Sequence, residues 1–332
     1  MSRISWFPGH MRKAARMIEE KLKIADAVIE VRDARIPISS INPTFNELVK
    51  KYNRPRLVVI NKSDLISPSD RKWAMEQICK QEQIENVIFT SAKTSKRKIV
   101  GKIKKALVQN TRLKNSKRYQ FKHSGTMAMV VGMPNVGKSS IINLMRTSMV
   151  RGPRSIEGQR STKSAKKRRT HVAKTGAKPG LTRHIAPIQI TNDPNIFLFD
   201  TPGVMIPRIE SDDVGFKLAL ANVLPEKIVP KELLVEHLLE IMNNLPAKRK
   251  NGNDKSNLYY TSALKLPNNE PMYDVNELLY KVGMSIGRHP DSAAGYSDAA
   301  TFVLNKFNKG SFGKFLLEDM GKHKPTGPLS SE

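Results

Sequence analysis

Residues 132–139 read Gly-Met-Pro-Asn-Val-Gly-Lys-Ser and fit the phosphate-loop pattern G-x-x-x-x-G-K-[ST]. In this pattern the glycines let consecutive backbone N–H groups curl around phosphate oxygens. Lys138 is expected to reach the β- and γ-phosphates, and the Ser139 hydroxyl to bind Mg²⁺. The other candidate contacts within the loop are Asn135, Val136, Gly137 and Ser140. The spacing therefore predicts a site for a nucleoside triphosphate and Mg²⁺.

A second phosphate-side motif is the run Asp200-Thr201-Pro202-Gly203. Asp200 is expected to hold the same Mg²⁺ through water, and the Gly203 N–H to contact the γ-phosphate. Together with the loop, this motif predicts a site that senses the third phosphate.

The run Asn61-Lys62-Ser63-Asp64 indicates which base is bound. The Asp64 carboxylate can accept hydrogen bonds from the ring N–H and the exocyclic amino group of guanine. Adenine offers no such pair of donors, so the motif predicts GTP rather than ATP. Asn61 is expected to brace the loop, the Lys62 stem to pack on the base, and Ser63 to belong to the same base-binding loop.

The tripeptide Ser91-Ala92-Lys93 is predicted to complete the base pocket. In this interpretation Ser91 and Ala92 contact the nucleotide, and the Ala92 N–H is directed at the guanine carbonyl. A lone tripeptide of this kind is also common in ordinary surface loops, so its meaning depends on the other motifs.

The motifs occur in an unusual order, because the base reader lies about 70 residues upstream of the phosphate loop. Each motif follows a short apolar run, as expected for buried parallel strands whose carboxyl ends bind ligands. These runs are residues 57–60, 86–89, 127–131 and 196–199. Strand ends can deliver motifs to one edge in any chain order. The sequence thus predicts a circularly permuted α/β P-loop domain with a mostly parallel sheet and helices on both faces.

Length and pattern predict two domains. The permuted domain is expected at residues 1–209, and a smaller α-helical domain that could bind RNA at 210–332. Helices are predicted at residues 11–25, 99–109, 231–244, 275–282 and 299–308, and a strand at 27–31. Lys306, Lys309 and Lys314 could grip RNA phosphates or form an ordinary solvated helix face.

The charge of +27 favours a polyanionic partner, most simply nucleic acid, although an anionic membrane surface remains an alternative. Eleven Lys or Arg and no acidic residue lie between Thr94 and Met129, and ten lie in the insertion 151–178 beside the single acid Glu157. Each stretch is either an RNA-binding segment or a solvated linker or insertion. The single cysteine, Cys79, excludes an internal disulfide framework.

The basic insertion leads to Pro179-Gly180-Leu181-Thr182, the predicted switch segment, in which the Thr182 hydroxyl would sense Mg²⁺ and the γ-phosphate. Upstream, the run Asp33-Ala34-Arg35 follows the first predicted strand. Arg32 and Arg35 could touch nucleotide or RNA, or form a local salt bridge with Asp33.

The runs Trp6-Phe7-Pro8-Gly9-His10-Met11 and Val31-Arg32-Asp33-Ala34-Arg35-Ile36-Pro37, together with the permuted motifs, resemble the circularly permuted ribosome-assembly GTPases, and most of all their mitochondrial members. The resemblance implies late assembly of the mitochondrial large ribosomal subunit and contact with its rRNA, with GTP state controlling association and release. It also implies a monomer in the mitochondrial matrix, peripheral at the inner membrane, with a bacterial cytosol as the alternative location. No apolar run reaches the roughly 20 residues needed to span a bilayer.

The sequence departs from the Ras pattern for hydrolysis, because Val204 occupies the position where Ras-like proteins place a water-orienting glutamine. Asn135 matches the asparagine that helps coordinate K⁺ in related GTPases. His10 matches the family histidine thought to act in hydrolysis, although an amino-terminal packing or capping role fits equally on chemical grounds. Slow intrinsic turnover is expected. Two rival functions are a GTP-dependent RNA- or tRNA-handling factor and a non-hydrolysing GTP-binding scaffold, which Val204 permits.

Overall fold

The computed structural model describes residues 9–84, 87–94, 97–114, 125–150, 187–192, 195–204, 209, 211–225, 228–244, 259–266, 271–288 and 292–318. The predicted switch residue Thr182 and the basic insertion 151–178 lie outside these ranges. His10 is described only through its backbone, which belongs to the first helix.

The first part of the chain alternates strands and helices. In chain order these are α1 Gly9–Leu22, β1 Ala27–Asp33, α2 Pro43–Lys51, β2 Arg56–Asn61, a 3₁₀ helix Ser63–Leu65, α3 Pro68–Glu82, β3 Val87–Phe89, α4 Arg97–Lys114, β4 Thr126–Val131, α5 Lys138–Val150, β5 Pro187–Asn192 and β6 Asn195–Asp200.

One six-stranded sheet organises this part, in the order β3-β2-β1-β4-β6-β5. Its neighbouring strands are parallel except for β5, which runs antiparallel to β6 at the edge. From β1 the chain moves outward through β2 and β3, and from β4 it crosses to the edge strand β5 on the other side and returns to β6. The direction therefore reverses between β1 and β4, and at such a reversal the crevice beyond the strand ends accepts a ligand.

Both faces of the sheet are covered, because successive strand residues point to opposite sides. Val28 packs with α1 and α2 residues such as Leu22 and Phe45. Its neighbour Ile29 lies on the other face, in the cluster that contains residues of α4 and α5 such as Ile103 and Ile142. This arrangement confirms the predicted α/β architecture with helices on both faces.

Beyond β6 the described residues form helices and turns. The helices are α6 Asp212–Leu220, α7 Lys231–Asn243, α8 Tyr259–Ala263, α9 Val275–Ser285 and α10 Ala293–Asn308. Ser211, Asp274 and Ser292 cap α6, α9 and α10 by accepting a backbone N–H through their side chains. The helical character predicted here is therefore present, although the boundary at 209/210 stays a prediction.

The end of α10 is closed by a left-handed glycine. Gly310 has φ +82°, and the N–H of Ser311 donates to the carbonyl of Lys306, which completes the hydrogen-bonded turn typical of this helix ending. Val303 and Phe307 are buried, whereas Phe302 is only half-buried and lies under the Lys306 ammonium, 5.3 Å from the ring centre. Lys306 is therefore engaged with its own helix.

The helical part contacts the turn that follows β1. The Glu318 carboxylate accepts hydrogen bonds from the Ile38 and Ser39 N–H groups at 3.1 and 2.7 Å. The Leu317 N–H donates to the Arg35 carbonyl at 2.9 Å. This segment of the carboxyl-terminal part is thereby held against the strand edge that carries the motifs.

Candidate nucleotide site

The four motifs lie together at the carboxyl edge of the parallel strands. The base reader begins at the end of β2, the tripeptide follows β3, the phosphate loop follows β4, and Asp200 ends β6. Strand register aligns these ends, since Asp33 lies opposite Asn61 and Val130 lies opposite Asp200. The expectation that strand ends bring the motifs to one edge is therefore met.

Two positions of the phosphate loop require glycine. Gly132 has φ +147°, and a Cβ there would lie 2.3 Å from the Val31 carbonyl oxygen. Gly137 has φ +99°, and its Cβ would lie 2.2 Å from the Asn61 amide nitrogen. L-residues rarely adopt such φ values, and neither contact leaves room for a side-chain atom. The loop thus folds directly against β1 and the base reader.

Lys138 begins α5 and turns back into the loop. Its ammonium donates to the carbonyls of Gly132 and Met133 at 3.2 and 2.9 Å, and only 7% of the residue is exposed. Burial lowers the pKa of Lys138 to about 8, although the Asp200 carboxylate opposes this shift. A buried ammonium held by its own loop is placed to exchange these carbonyls for phosphate oxygens.

Ser139 and Asp200 have the chemistry of a Mg²⁺ site. The Ser139 hydroxyl donates to Oδ2 of Asp200 at 3.2 Å, while Oδ1 is buried with no hydrogen-bond partner among the described residues. Burial raises the pKa of Asp200, against the opposing effects of Lys138 and Ser139. A hydroxyl and a carboxylate are oxygen ligands of the kind that Mg²⁺ prefers, and a cation would satisfy the unpaired oxygen. These residues therefore fit the predicted ion.

The turn after β6 packs tightly on the phosphate loop. Thr201 Oγ1 donates to the Val130 carbonyl at 2.6 Å, which fixes the start of the turn. A Cβ on Gly203 would lie 2.7 Å from Pro134 Cα and 3.0 Å from the Lys138 ammonium. Gly203 thus reaches the phosphate side of the site, where its predicted γ-phosphate contact would be made.

Asn61 joins the base side to the phosphate side. Its Nδ2 donates to the Val136 carbonyl at 2.9 Å, and its Oδ1 accepts from the Ala92 N–H at 3.1 Å. One amide therefore links three of the loops, which is the bracing role expected of it. The Ala92 N–H, expected to point at the guanine carbonyl, is instead used by Asn61 in this conformation, because the amide lies between the two loops.

The base-reading loop has a tightly constrained backbone. Lys62 adopts a left-handed conformation with φ +60° and starts the 3₁₀ turn on which Asp64 lies half-buried. The Ser63 N–H donates to the Thr90 carbonyl at 3.0 Å, which ties this loop to the end of β3. Ser91 is buried, and its hydroxyl accepts from the Thr94 N–H at 3.3 Å. The six predicted base-site residues thus form one connected group.

The remaining predicted site residues differ in how much the structure says of them. Val136 is fully buried and Ser140 is half-buried in the first turn of α5. Asn135 has φ +57°, and its Nδ2 donates to the Asn222 carbonyl at 2.8 Å, a contact with the helical part. Coordination of K⁺ by Asn135 stays a prediction, as do the roles of His10 and Thr182.

Val204 is part of the core. It is fully buried among residues of α1 and α2, including Ile18 and Phe45. Its N–H lies 3.4 Å from the Gly132 carbonyl, and its own carbonyl accepts from the Asn42 amide at 3.1 Å. The side chain at the position that carries glutamine in Ras-like proteins therefore lies in the apolar core and does not face the nucleotide site.

A network that the sequence left ambiguous borders the base reader. The Asp33 carboxylate is fully buried and lies 2.9 Å from Arg35 Nη2 and 2.8 Å from the Lys62 ammonium. Burial opposes ionisation, but the two cations lower the pKa of Asp33 well below its usual range. The salt-bridge alternative for Arg35 is thus the observed one. Arg32 pairs instead with Glu30 and Glu82.

Comparison with known proteins agrees with this geometry. Residues 127–250 match the family model described as 50S ribosome-binding GTPase. That match begins with β4 and includes the phosphate loop and Asp200, whereas the base reader lies upstream of it, as a permuted order requires.

Two full-length relatives align over almost the whole chain. The mitochondrial ribosome-associated GTPase 1 of Xenopus tropicalis is 33% identical over 94% of this chain and 94% of its own length. The ribosome biogenesis GTPase A of Priestia megaterium is 31% identical over 95% of this chain and 96% of its own length.

A solved structure supports the fold. The crystal structure of GNP-bound YlqF from T. maritima covers 93% of this chain and all of its own, with a TM-score of 0.53 and 19% identity.

Proposed function

The chain belongs to the circularly permuted ribosome-associated GTPases, and we propose that it hydrolyses GTP during assembly of the mitochondrial large ribosomal subunit. The GTP state would control association with the subunit and release from it. The observation that carries the proposal is the joining of a guanine reader and a phosphate loop through the single amide of Asn61.

The residues of the chain divide the work of binding. Asp64 selects guanine, Lys138 exchanges loop carbonyls for β- and γ-phosphate oxygens, and Ser139 with Asp200 holds the ion. Bound Mg²⁺ would offset negative charge on the phosphates. Because Gly203 packs closely on Pro134, a shift of the phosphate loop would also displace the turn after β6.

Hydrolysis needs a group other than Val204 to position water. His10 is the proposed residue, since imidazole can orient water or donate to phosphate near neutral pH. Asn135 is proposed to coordinate K⁺ against the phosphates: its Nδ2 is held by Asn222, and its amide oxygen is the end that could act as ligand. Thr182 would complete the Mg²⁺ site. Turnover is proposed to be slow until the large subunit completes the arrangement.

The basic charge supports a ribosomal partner. A net charge of +27 favours rRNA phosphates, and Lys309 and Lys314 are exposed at the end of α10, where they could meet them. We place the protein in the mitochondrial matrix, peripheral on the inner membrane, acting as a monomer. No helix in the described part of the chain is long and apolar enough to cross a membrane.

A nucleotide-dependent sedimentation experiment tests the assembly role. Purified protein is mixed with mitochondrial large or small subunits at fixed salt, in the presence of GDP or a non-hydrolysable GTP analogue. We expect co-sedimentation with the large subunit in the analogue and release in GDP. Equal binding to both subunits, or binding that ignores the nucleotide, would contradict the proposal. Fixed salt is essential, because phosphate contacts alone make RNA binding strongly salt-dependent.

A second candidate is a GTP-binding scaffold that does not hydrolyse GTP, and the burial of Val204 favours it. It predicts the same nucleotide-dependent sedimentation but no turnover with any subunit or in any cation. Single-turnover release of phosphate from bound GTP separates the two candidates.

A further inference from the structure

One turn of the helical part receives hydrogen bonds from both sides of the nucleotide site. The carbonyl of Ala221 accepts from Arg35 Nη2 at 3.1 Å, and the next carbonyl, that of Asn222, accepts from Asn135 Nδ2 at 2.8 Å. Asn222 itself has a left-handed backbone, φ +60°, which presents the two carbonyls in succession. This turn follows α6 directly, so it contacts the phosphate loop and the turn after β1 at once.

The Arg35 guanidinium is buried and makes hydrogen bonds through all three of its nitrogens. Only 2% of the residue is exposed, and its Nε and Nη2 donate to the two Asp33 oxygens at 3.1 and 2.9 Å. Its Nη1 donates to Asn308 Oδ1 at 2.8 Å, and the guanidinium lies 5.4 Å from the Phe307 ring centre. The planar fork of arginine suits such a site, because it can face a carboxylate and two further acceptors together.

Asp33 extends this contact to the base reader. Its Oδ2 accepts from Arg35 Nη2 and also lies 2.8 Å from the Lys62 ammonium. The left-handed Lys62 opens the 3₁₀ turn that carries Asp64. A continuous path of charged contacts therefore leads from the helical part, through Arg35 and Asp33, to the base-reading loop.

We propose that Arg35 is a positioning residue for guanine recognition, which fixes Asp33 and Lys62 in the base-reading arrangement when the turn 221–222 is seated. The proposal rests on the proposed GTP binding. Because coupling between two sites is reciprocal, guanine nucleotide in turn stabilises the seating of the helical part.

The proposal predicts a KM effect rather than a kcat effect. Replacing the guanidinium in Arg35→Gln leaves Lys62 and Asp33 without their anchor but leaves Lys138 and Ser139 in place. We expect the KM for GTP and the Kd for GDP to rise about tenfold, within the usual range for coupling between sites, with kcat changed less than about twofold. Arg35→Lys, which keeps the charge beside Asp33, should recover part of the affinity.

The chain offers a matched control in Arg32. It is also a fully buried arginine in ion pairs, but its partners are Glu30 and Glu82. Arg32→Gln should lower the melting temperature at least as much as Arg35→Gln while leaving the KM for GTP within about twofold of wild type. An unchanged KM in Arg32→Gln would show that the loss of a buried ion pair does not by itself raise the KM for GTP.

Hydrogen exchange gives the reciprocal readout. The Leu317 N–H donates to the Arg35 carbonyl, and the Val223 N–H donates to Leu218 just beyond the turn. GDP should slow exchange in peptides that contain residues 221–223 and 315–318 of the wild type and of Arg32→Gln. It should have no such effect in Arg35→Gln.

A gentler variant keeps the test decisive if Arg35→Gln does not fold. Asn308→Leu removes the Nη1 partner from the helical side and leaves the Asp33–Arg35 pair intact. It should raise the KM for GTP about threefold and weaken the GDP-dependent protection. Unchanged KM values in both variants, or GDP-dependent protection as large as in the wild type in either variant, would overturn the proposal. Failure of the wild type to bind any guanine nucleotide would instead overturn the proposed function.

Discussion

At the residue scale, the proposed selection of guanine rests on one carboxylate. Asp64 lies half-buried on the 3₁₀ turn, on a loop whose backbone is fixed by the left-handed Lys62 and by the hydrogen bond from Ser63 to Thr90. Such a carboxylate can accept from both guanine donors, whereas an amide in its place must face one of them with its own donor.

Asp64→Asn should therefore weaken GTP binding by about 100-fold, or about 2.7 kcal/mol, and favour xanthosine triphosphate, which offers an acceptor where guanine has its amino group. Competition of the two nucleotides against a fluorescent GDP analogue measures the preference. Asp70→Asn, in the capping box of α3, removes the same charge six positions away and should leave selectivity unchanged. Unaltered selectivity in Asp64→Asn would mean that another residue reads the base.

Because the Lys138 ammonium is buried, we predict that raising the pH above 8 weakens GDP binding but increases the stability of the nucleotide-free protein. Its pKa of about 8 means that the nucleotide-free protein loses this charge as pH rises through 8. Nucleotide phosphates favour the protonated form, so the Kd for GDP should be constant below pH 7 and rise toward tenfold per unit above pH 8. Over pH 8 to 10.5 the unfolded chain holds more protons on this group, so its contribution to nucleotide-free stability should increase.

Binding measured from pH 6.5 to 8.7 tests this prediction. GMP, which lacks a β-phosphate, is the control, because ionisation of guanine affects both nucleotides alike. A GDP-to-GMP affinity ratio that stays flat across pH 8 would show that the Lys138 charge does not govern binding.

The roles of residues at this site could be predicted from the sequence where a motif defines them. The contacts that these residues make with one another could not. The roles of Asn61 and Lys138 follow from spacing alone. The use of the Ala92 N–H by Asn61, and the link from Lys62 through Asp33 to Arg35, depend on strand register and on where α10 packs. No local pattern encodes either.

At the element scale, the packing of the turn after β6 places the residue 204 side chain in the core. Val204 is enclosed by α1 and α2, and its carbonyl is tied to Asn42, which also caps α2 through Thr44. The backbone at this position therefore directs the side chain into the core.

Introducing the missing glutamine should consequently harm the protein. Val204→Gln buries an amide in an apolar cluster, and we expect it to cost about 2 to 4 kcal/mol of unfolding free energy without raising the rate of GTP hydrolysis. Chemical denaturation and single-turnover hydrolysis measure the two effects. Val204→Ala is the control for lost packing, and faster hydrolysis in Val204→Gln alone would show that this side chain reaches water.

Strands with motifs at their ends were the most predictable elements. The apolar runs of β2, β4 and β6 are observed within one residue of each predicted end. β5 was not predicted, because this edge strand begins with a proline and only two consecutive residues, Ile190 and Thr191, are buried. α10 begins at Ala293, six residues before the predicted start, because its first turns are small and polar and the start depends on the Ser292 cap.

At the scale of the whole molecule, the helical part has two features. It carries basic residues, and it also contacts the nucleotide site. The contacts of Arg35, Asn135 and Glu318 place the helical part against the strand edge where the nucleotide would bind. Nucleotide binding can therefore affect the position of the surface that we propose binds rRNA. The net charge favours a polyanionic partner, but the attachment of the helical part to the nucleotide site could not be predicted from charge.

Loss of nucleotide binding should consequently stop assembly. With Lys138→Ala as the sole copy, we expect large subunits to stall before maturity while small subunits are normal, because the ammonium that holds the phosphates is gone. Sedimentation profiles of mitochondrial ribosomes measure this outcome. A wild-type profile in that variant would separate the assembly role from GTP.

GTP turnover with large subunits, small subunits or neither, each in K⁺ and in Na⁺, tests directly whether the ribosome completes the GTPase site. We predict slow turnover alone and selective stimulation by the large subunit, greater in K⁺ than in Na⁺, with the cation difference lost in Asn135→Ala. No stimulation by either subunit at low salt, with bound GTP confirmed, would contradict a ribosome-completed GTPase site.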